Sequence, residues 1–109
     1  MGLPGAREWS RWEGRDRNRR SIEIDIVATL DDNTMLTGEI KWSSQPVGFD
    51  VYNRLRRNLE DLGNSGQGWA HPALDGRHLF VSAAGFTDEF RAWAETNPND
   101  RLVAMPDLY

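Results

Sequence analysis

Cysteine is absent from this 109-residue chain, which excludes disulfides, a thiolate nucleophile and any zinc site built on thiolates. The chain is therefore expected in a reducing compartment such as the cytoplasm. No apolar run approaches the ~20 residues that span a bilayer, and the opening MGLPGAREWSRW lacks the apolar core of a signal peptide. No G-x-x-x-x-G-K-[ST] occurs, so a P-loop is excluded. Histidine is scarce, and the two present, His71 and His78, bracket PALDGR without a third zinc ligand; both read as surface residues. No serine stands in a recognisable nucleophile motif. Lysine is the scarcest charge: of thirteen basic residues only Lys41 is not arginine.

The length suits one domain, residues 1–109, with one hydrophobic core. Residues 1–7, rich in glycine and proline, read as a linker or domain edge. A short strand over EWSRWEG leads to the polar turn RDRNRR. From Ser21 the pattern alternates strictly, with Ile22, Ile24 and Ile26 on one face and Glu23 and Asp25 on the other. LDDNT turns the chain, and MLTGEIKW alternates again, so the two runs predict a hairpin. A three-residue connection with Asn33 in left-handed conformation sets Leu30 against Thr34. Asp25 then faces Glu39, Glu23 faces Lys41, and Ile22, Ile24 and Ile26 lie with Leu36 and Ile40.

FDVYNRLRRNLEDLG predicts a helix capped by Asp50 and ended by Gly63, with Val51, Leu55, Leu59 and Leu62 inward. Residues 63–77 read as a surface loop exposing Trp69. HLFVSAA predicts a strand, Thr87 a cap for the helix DEFRAWAET, and RLVAM a last strand. Alternation sends Trp42 inward, and helical spacing does the same for Trp93.

Two carboxylates facing each other across a hairpin repel, and the pairing destabilises the sheet unless a positive charge lies between them. Asp25 and Glu39 therefore ask for a cation. Hard carboxylate oxygens suit Mg2+ or Mn2+, which keep positions open for water and phosphate. A neighbouring ammonium can orient water or balance charge developing on a phosphoryl group, which gives the lone lysine a purpose. The bland alternative is a solvated sheet face with one ion pair worth ~0.2–1 kcal/mol.

The spacing of Asp25 and Glu39-Ile40-Lys41, on consecutive strands followed by a helix, resembles the signature of the PD-(D/E)XK nuclease superfamily. More narrowly, W-x-x-W before EIDIVA and GEIKW is similar to the domain of unknown function at the C-terminus of archaeal-type P-loop ATPases. The resemblance implies an α/β fold with a restriction-endonuclease-like core, its mixed central sheet flanked by helices, and metal-dependent hydrolysis of DNA. It implies Asp25 and Glu39 as metal ligands, the Ile40 carbonyl as a backbone ligand, Lys41 as the catalytic lysine and Glu23 as an auxiliary acid. Members usually begin with a helix carrying a further acid, and none is predicted before Trp9. The alternative is a non-catalytic DNA- or protein-interaction module, once attached to an ATPase domain.

Residues 7–20 hold six arginines against three acids, a charge of +3 in a chain of net −4. Arg11, Arg15, Arg17, Arg19 and Arg20, with Arg56 and Arg57 on the first helix, are the candidates for DNA backbone contacts; a charged solvent turn explains them equally well. The first strand, if its edge is free, can pair with a second copy as a homodimer.

Overall fold

Alternation at the N-terminal half and amphipathic periodicity after residue 48 divide the molecule into a hairpin-rich sheet and helical crossovers. The computed structural model describes residues 6–30 and 32–105. Its elements are β1 (Ala6–Arg15), β2 (Ser21–Leu30), β3 (Met35–Lys41), α1 (Phe49–Asn64), α2 (Ala70–Leu74), β4 (Arg77–Ser82), α3 (Asp88–Glu95) and β5 (Asp100–Ala104). One five-stranded sheet runs in the order β1-β2-β3-β4-β5. The first three strands are antiparallel, and β3, β4 and β5 are parallel. Both parallel connections step in the same direction, so the usual right-handed crossover puts their helices on the same face. Of the expected linker, residues 1–5 lie outside the described residues, while Ala6 and Arg7 already belong to β1. No described helix is long and apolar enough to cross a membrane.

The β2–β3 turn follows the predicted geometry. Asn33 has φ 67°, its N–H donates to the Leu30 carbonyl at 2.9 Å, and Leu30 N–H donates to Thr34 at 2.8 Å. The ladder continues through Ala28 opposite Leu36 to Ile26 opposite Gly38. That register points Asp25 at Glu39.

The isoleucine face departs from expectation. Between β1 and β2 the pairing passes from Ser10–Val27 directly to Trp12–Ile24, so Arg11 alone stands opposite Asp25 and Ile26. A β-bulge of this kind bends the strand and inverts the phase of its side chains. Ile26 accordingly packs with Leu36, Leu79 and Val81 on one side, while Ile22 and Ile24 pack with Leu55, Leu59 and Leu62 of α1 on the other. One strand thus serves two cores, and the changeover falls at Asp25.

Helix α1 buries Val51, Leu55, Leu59 and Leu62 as its spacing predicts, but its cap is Gly48 and Asp50 sits in the first turn. An acid there still favours the helix through the dipole. The helix runs one residue past Gly63 to Asn64. Thr87 caps α3 as expected, its Oγ1 accepting from Phe90 N–H at 3.3 Å. The expected loop at 63–77 contains α2, which buries Ala70 and Ala73. Trp69 packs edge-on against Trp12 with centroids 5.9 Å apart, a contact between loop and strand that local composition does not encode.

His78 is not a surface residue. It is 3% exposed, with Nδ1 2.8 Å from Asp100 Oδ1 and Nε2 3.1 Å from the Ala73 carbonyl. A carbonyl only accepts, so Nε2 donates; the hydrogen bond to Asp100 then needs one more proton on the pair than a neutral ring and a carboxylate carry. The pair joins β4, β5 and the end of α2.

Candidate active site

At the end of the β2–β3 ladder, Asp25 replaces a strand-to-strand bond with a side-chain one: Ile40 N–H donates to Asp25 Oδ2 at 2.9 Å. Glu39, one residue back on β3, is 7% exposed and hydrogen-bonds Asp25. Burial, that hydrogen bond and the Asp25 charge raise the Glu39 carboxyl to about 8, against weaker opposing fields from Lys41 and Arg54. Burial beside a second carboxylate makes ionising Glu39 costly, so Glu39 favours its protonated form unless a cation joins the two acids.

The pair opens into a cleft of about 430 Å3 that Lys41, Glu23 and two residues of α1, Arg54 and Asn58, also line. Arg20 reaches its wall from the β1–β2 turn. That turn is built to hold it: Asp16 Oδ1 accepts from the N–H groups of Asn18 and Arg20, both at 2.9 Å, and Arg17 N–H donates to Ser65 at the end of α1. Arg20 itself pairs with Asp16 and Asp61 and bonds Asn58 at 3.2 Å.

No family model matches the chain, and no curated protein matches it. Solved structures do. A repair endonuclease from Pyrococcus abyssi superposes with a TM-score of 0.52 at 11% identity, over 89% of this chain and 38% of that one. The structure of EndoMS in apo form gives 0.56 at 12% identity, over 94% and 39% respectively. The fold is nuclease-like. The chain spans less than two-fifths of the length of either structure, and identities this low establish the shared fold alone.

The bulge redistributes the predicted residues of this nuclease-like domain. Asp25, Glu39 and Lys41 line one cleft. Glu23 stays at its rim but lies opposite Glu13 of β1 and not against Lys41. Its partner is Arg11, whose guanidinium is 2.9 Å from Glu23, 2.9 Å from Glu13 and 3.8 Å from Asp25. Ile40, expected to offer its carbonyl, meets the pair through its N–H. Among the described residues no group of three or more Asp, Glu, His or Cys is placed to hold a metal ion. The donor set fits a hard cation that needs few protein ligands: two carboxylates, one of them, Glu39, pushed toward its protonated form by burial and by the Asp25 charge.

The arginine candidates separate by occupation. Arg11 and Arg20 are held in ion pairs, and Arg56 bonds the Leu74 carbonyl at 3.2 Å with its guanidinium 5.7 Å from the Tyr52 ring. Arg15, Arg17, Arg19 and Arg57 are exposed. Arg54, which the sequence offers with Arg56 and Arg57 as a DNA contact or a solvated charge, lines the cleft; Val51 and Leu55 inward bring residues 54 and 58 to the neighbouring flank of the helix. Trp42, expected inside, is 73% exposed: β3 ends at Lys41, so alternation no longer governs the next residue.

Proposed function

We propose that the domain is a metal-dependent nuclease that hydrolyses DNA phosphodiester bonds in the Asp25–Glu39–Lys41 cleft. The observation that carries this reading is the cleft itself, in which buried Glu39 and half-buried Asp25 lie beside the chain's one lysine. The likeness to endonuclease folds supports it. Asp25 and Glu39, with the Ile40 carbonyl, would hold Mg2+ or Mn2+. When bound, such an ion supplies Lewis acidity at the phosphate and a more acidic water. Lys41 orients the attacking water and balances charge on the phosphoryl oxygens. Arg54, across the cleft, holds a phosphate, and Glu23 acts as an auxiliary acid at the rim. Arg15, Arg17, Arg19 and Arg57 are the exposed cations for the DNA backbone, with Arg11, Arg20 and Arg56 joining only by leaving their present partners.

Incubation of plasmid DNA with the protein and Mg2+ or Mn2+ tests the proposal. Cleavage is expected from the wild type and is lost in Asp25→Ala and Lys41→Ala; cleavage unchanged in both variants removes these residues from catalysis.

A second reading, a non-catalytic module for DNA or a protein within a longer ATPase-containing chain, draws support from Arg11, which already offers a positive charge to Asp25 and Glu23. Calorimetric titration with Mn2+ separates the two. Binding that requires Asp25 and Glu39 counts against the module. β1 lies at an edge of the sheet, and pairing with a second copy there predicts a dimer by light scattering.

A further inference from the structure

Asn58 lines the cleft beside the acid pair, yet it has no role in the chemistry proposed above. It is 6% exposed and stands one helical turn along α1 from Arg54, so the two share the flank that lines the cleft. Its carbonyl oxygen Oδ1 accepts from an Arg20 guanidinium nitrogen at 3.2 Å. A guanidinium only donates, so this bond fixes which end of the amide faces Arg20. The other end, Nδ2 with its two N–H donors, has no partner among the described residues. The unpartnered side-chain atoms sealed from solvent among those residues are the hydroxyls of Thr37 and Ser82. Asn58 Nδ2 is therefore unpartnered but not sealed, and the opening that Asn58 lines is the cleft.

Arg20 is held in its turn. It pairs with Asp16, whose side chain is 4% exposed, and with Asp61, so two carboxylates meet its charge. Arg20 thus acts on the cleft through the Asn58 amide. Lys41 and Arg54 supply positive charge there, whereas an amide supplies directed N–H donors without a charge that would repel a metal ion beside Asp25 and Glu39. A neutral donor oriented before the substrate arrives suits an oxygen on which negative charge grows during reaction. We infer that Asn58 donates through Nδ2 to a non-bridging oxygen of the phosphodiester in the cleft, and that Arg20 is the positioning residue that keeps the amide in this orientation. The inference rests on the nuclease reading proposed above and adds a substrate-binding residue to it.

The test has one arm free of catalysis. In EDTA, nuclear magnetic resonance of the full, nitrogen-labelled chain should show the Asn58 side-chain NH2 signals, identified by their loss in Asn58→Asp, shifting as a short DNA duplex is added. In Arg20→Ala the same signals should shift less, while the salt dependence of duplex binding stays that of the wild type, because Arg20 touches no phosphate. The second arm measures cleavage with Mn2+. Asn58→Asp keeps the volume and the bond from Arg20 but puts an acceptor where the donor stood. Its kcat should fall roughly 100- to 1000-fold, while its urea midpoint is retained and its Mn2+ affinity by calorimetry does not fall. A role confined to packing against Arg20 predicts wild-type cleavage from Asn58→Asp, and that result overturns the inference. So do wild-type NH2 signals unmoved by the duplex, or a kcat loss matched by a loss of Mn2+ affinity. A salt slope reduced by about one in Arg20→Ala also overturns it, by making Arg20 itself the phosphate contact. If the NH2 signals shift with DNA and the wild type does not cleave, the nuclease reading falls and the Asn58 contact stands. If cleavage depends on Asp25 and Lys41 while Asn58→Asp cleaves normally, the Asn58 contact alone falls.

Discussion

Stability in the absence of metal should fall as pH rises, and Glu39 is the reason. Its carboxyl is raised from 4.5 to about 8. Below about 4.5 the folded and unfolded chains both hold this proton, and the group carries no penalty. Between 4.5 and about 8 the unfolded chain releases it while the folded chain keeps it, so the unfolded state binds fewer protons and stability declines. Above about 8 the loss is complete. At ~1.4 kcal/mol per pH unit the full range corresponds to roughly 5 kcal/mol, and access of water through the cleft reduces this to about 3–5 kcal/mol. Glu39→Gln removes the ionisable group while keeping a donor for Asp25. Urea and thermal denaturation of both proteins in EDTA from pH 5 to 8.5 isolate the effect: the difference should favour the variant increasingly and reach its maximum near pH 8.5, where the melting temperatures should differ by roughly 10–20 °C. Mn2+ should return stability to the wild type above pH 8 and not to Glu39→Gln, since an ion between the acids reverses the preference for the protonated form. Parallel stability profiles for the two proteins from pH 5 to 8.5 would refute a Glu39 carboxyl held protonated by its surroundings.

Arg11→Gln should bind Mn2+ up to about fivefold more tightly by calorimetry, because a guanidinium within 4 Å of Asp25 and Glu23 repels the incoming ion, though exposure holds the effect to ~1 kcal/mol or less; weaker binding would mean that Arg11 organises the acids for the metal. His78→Leu should cost about 3–5 kcal/mol in urea unfolding, since it strands Asp100 without its partner, and the double variant with Asp100→Leu should recover much of that loss. Gly38→Ala should destabilise by at least about 3 kcal/mol, because a Cβ there would lie 1.9 Å from the Leu79 carbonyl oxygen and neither strand can yield without breaking the parallel pairing; a near-normal urea midpoint would show that β3 and β4 can separate locally.

Local rules carried the sequence reading wherever a feature depends on residues close in the chain. Alternation and an Asn33 turn define the β2–β3 register down to Leu30 opposite Thr34, and helical spacing identifies the buried leucines of α1. The acid pair is legible for the same reason, since period and register together point Asp25 at Glu39. The nuclease-like fold follows from this hairpin and the helical crossovers after it. Long-range pairings were not legible. The burial of His78 depends on Asp100, twenty-two residues away, and that of Trp69 on Trp12. Arg54 belongs to the cleft because α1 lies across β2 and β3, a matter of packing angle. The bulge at Asp25 and Ile26 was also hidden: it is a mismatch in length between β1 and β2, and neither strand shows it alone.

That mismatch bears on the lone lysine. In an unbroken hairpin, Glu23 would face Lys41 and neutralise it, leaving an acid pair with no free positive charge beside it. The bulge moves Glu23 out of that register and gives it to Arg11, while Asp25 at the bulge still reaches β3 through the Ile40 N–H. Lys41 consequently forms no salt bridge among the described residues, although it lines the cleft with both acids. A guanidinium in its place would span the two carboxylates in a fork and hold them shut. A compact ammonium on a flexible stem neutralises without bridging, which leaves the space between Asp25 and Glu39 open to an ion and the ammonium itself open to a phosphate. The single extra residue in β2 therefore decides which carboxylates stand with Lys41 in the cleft.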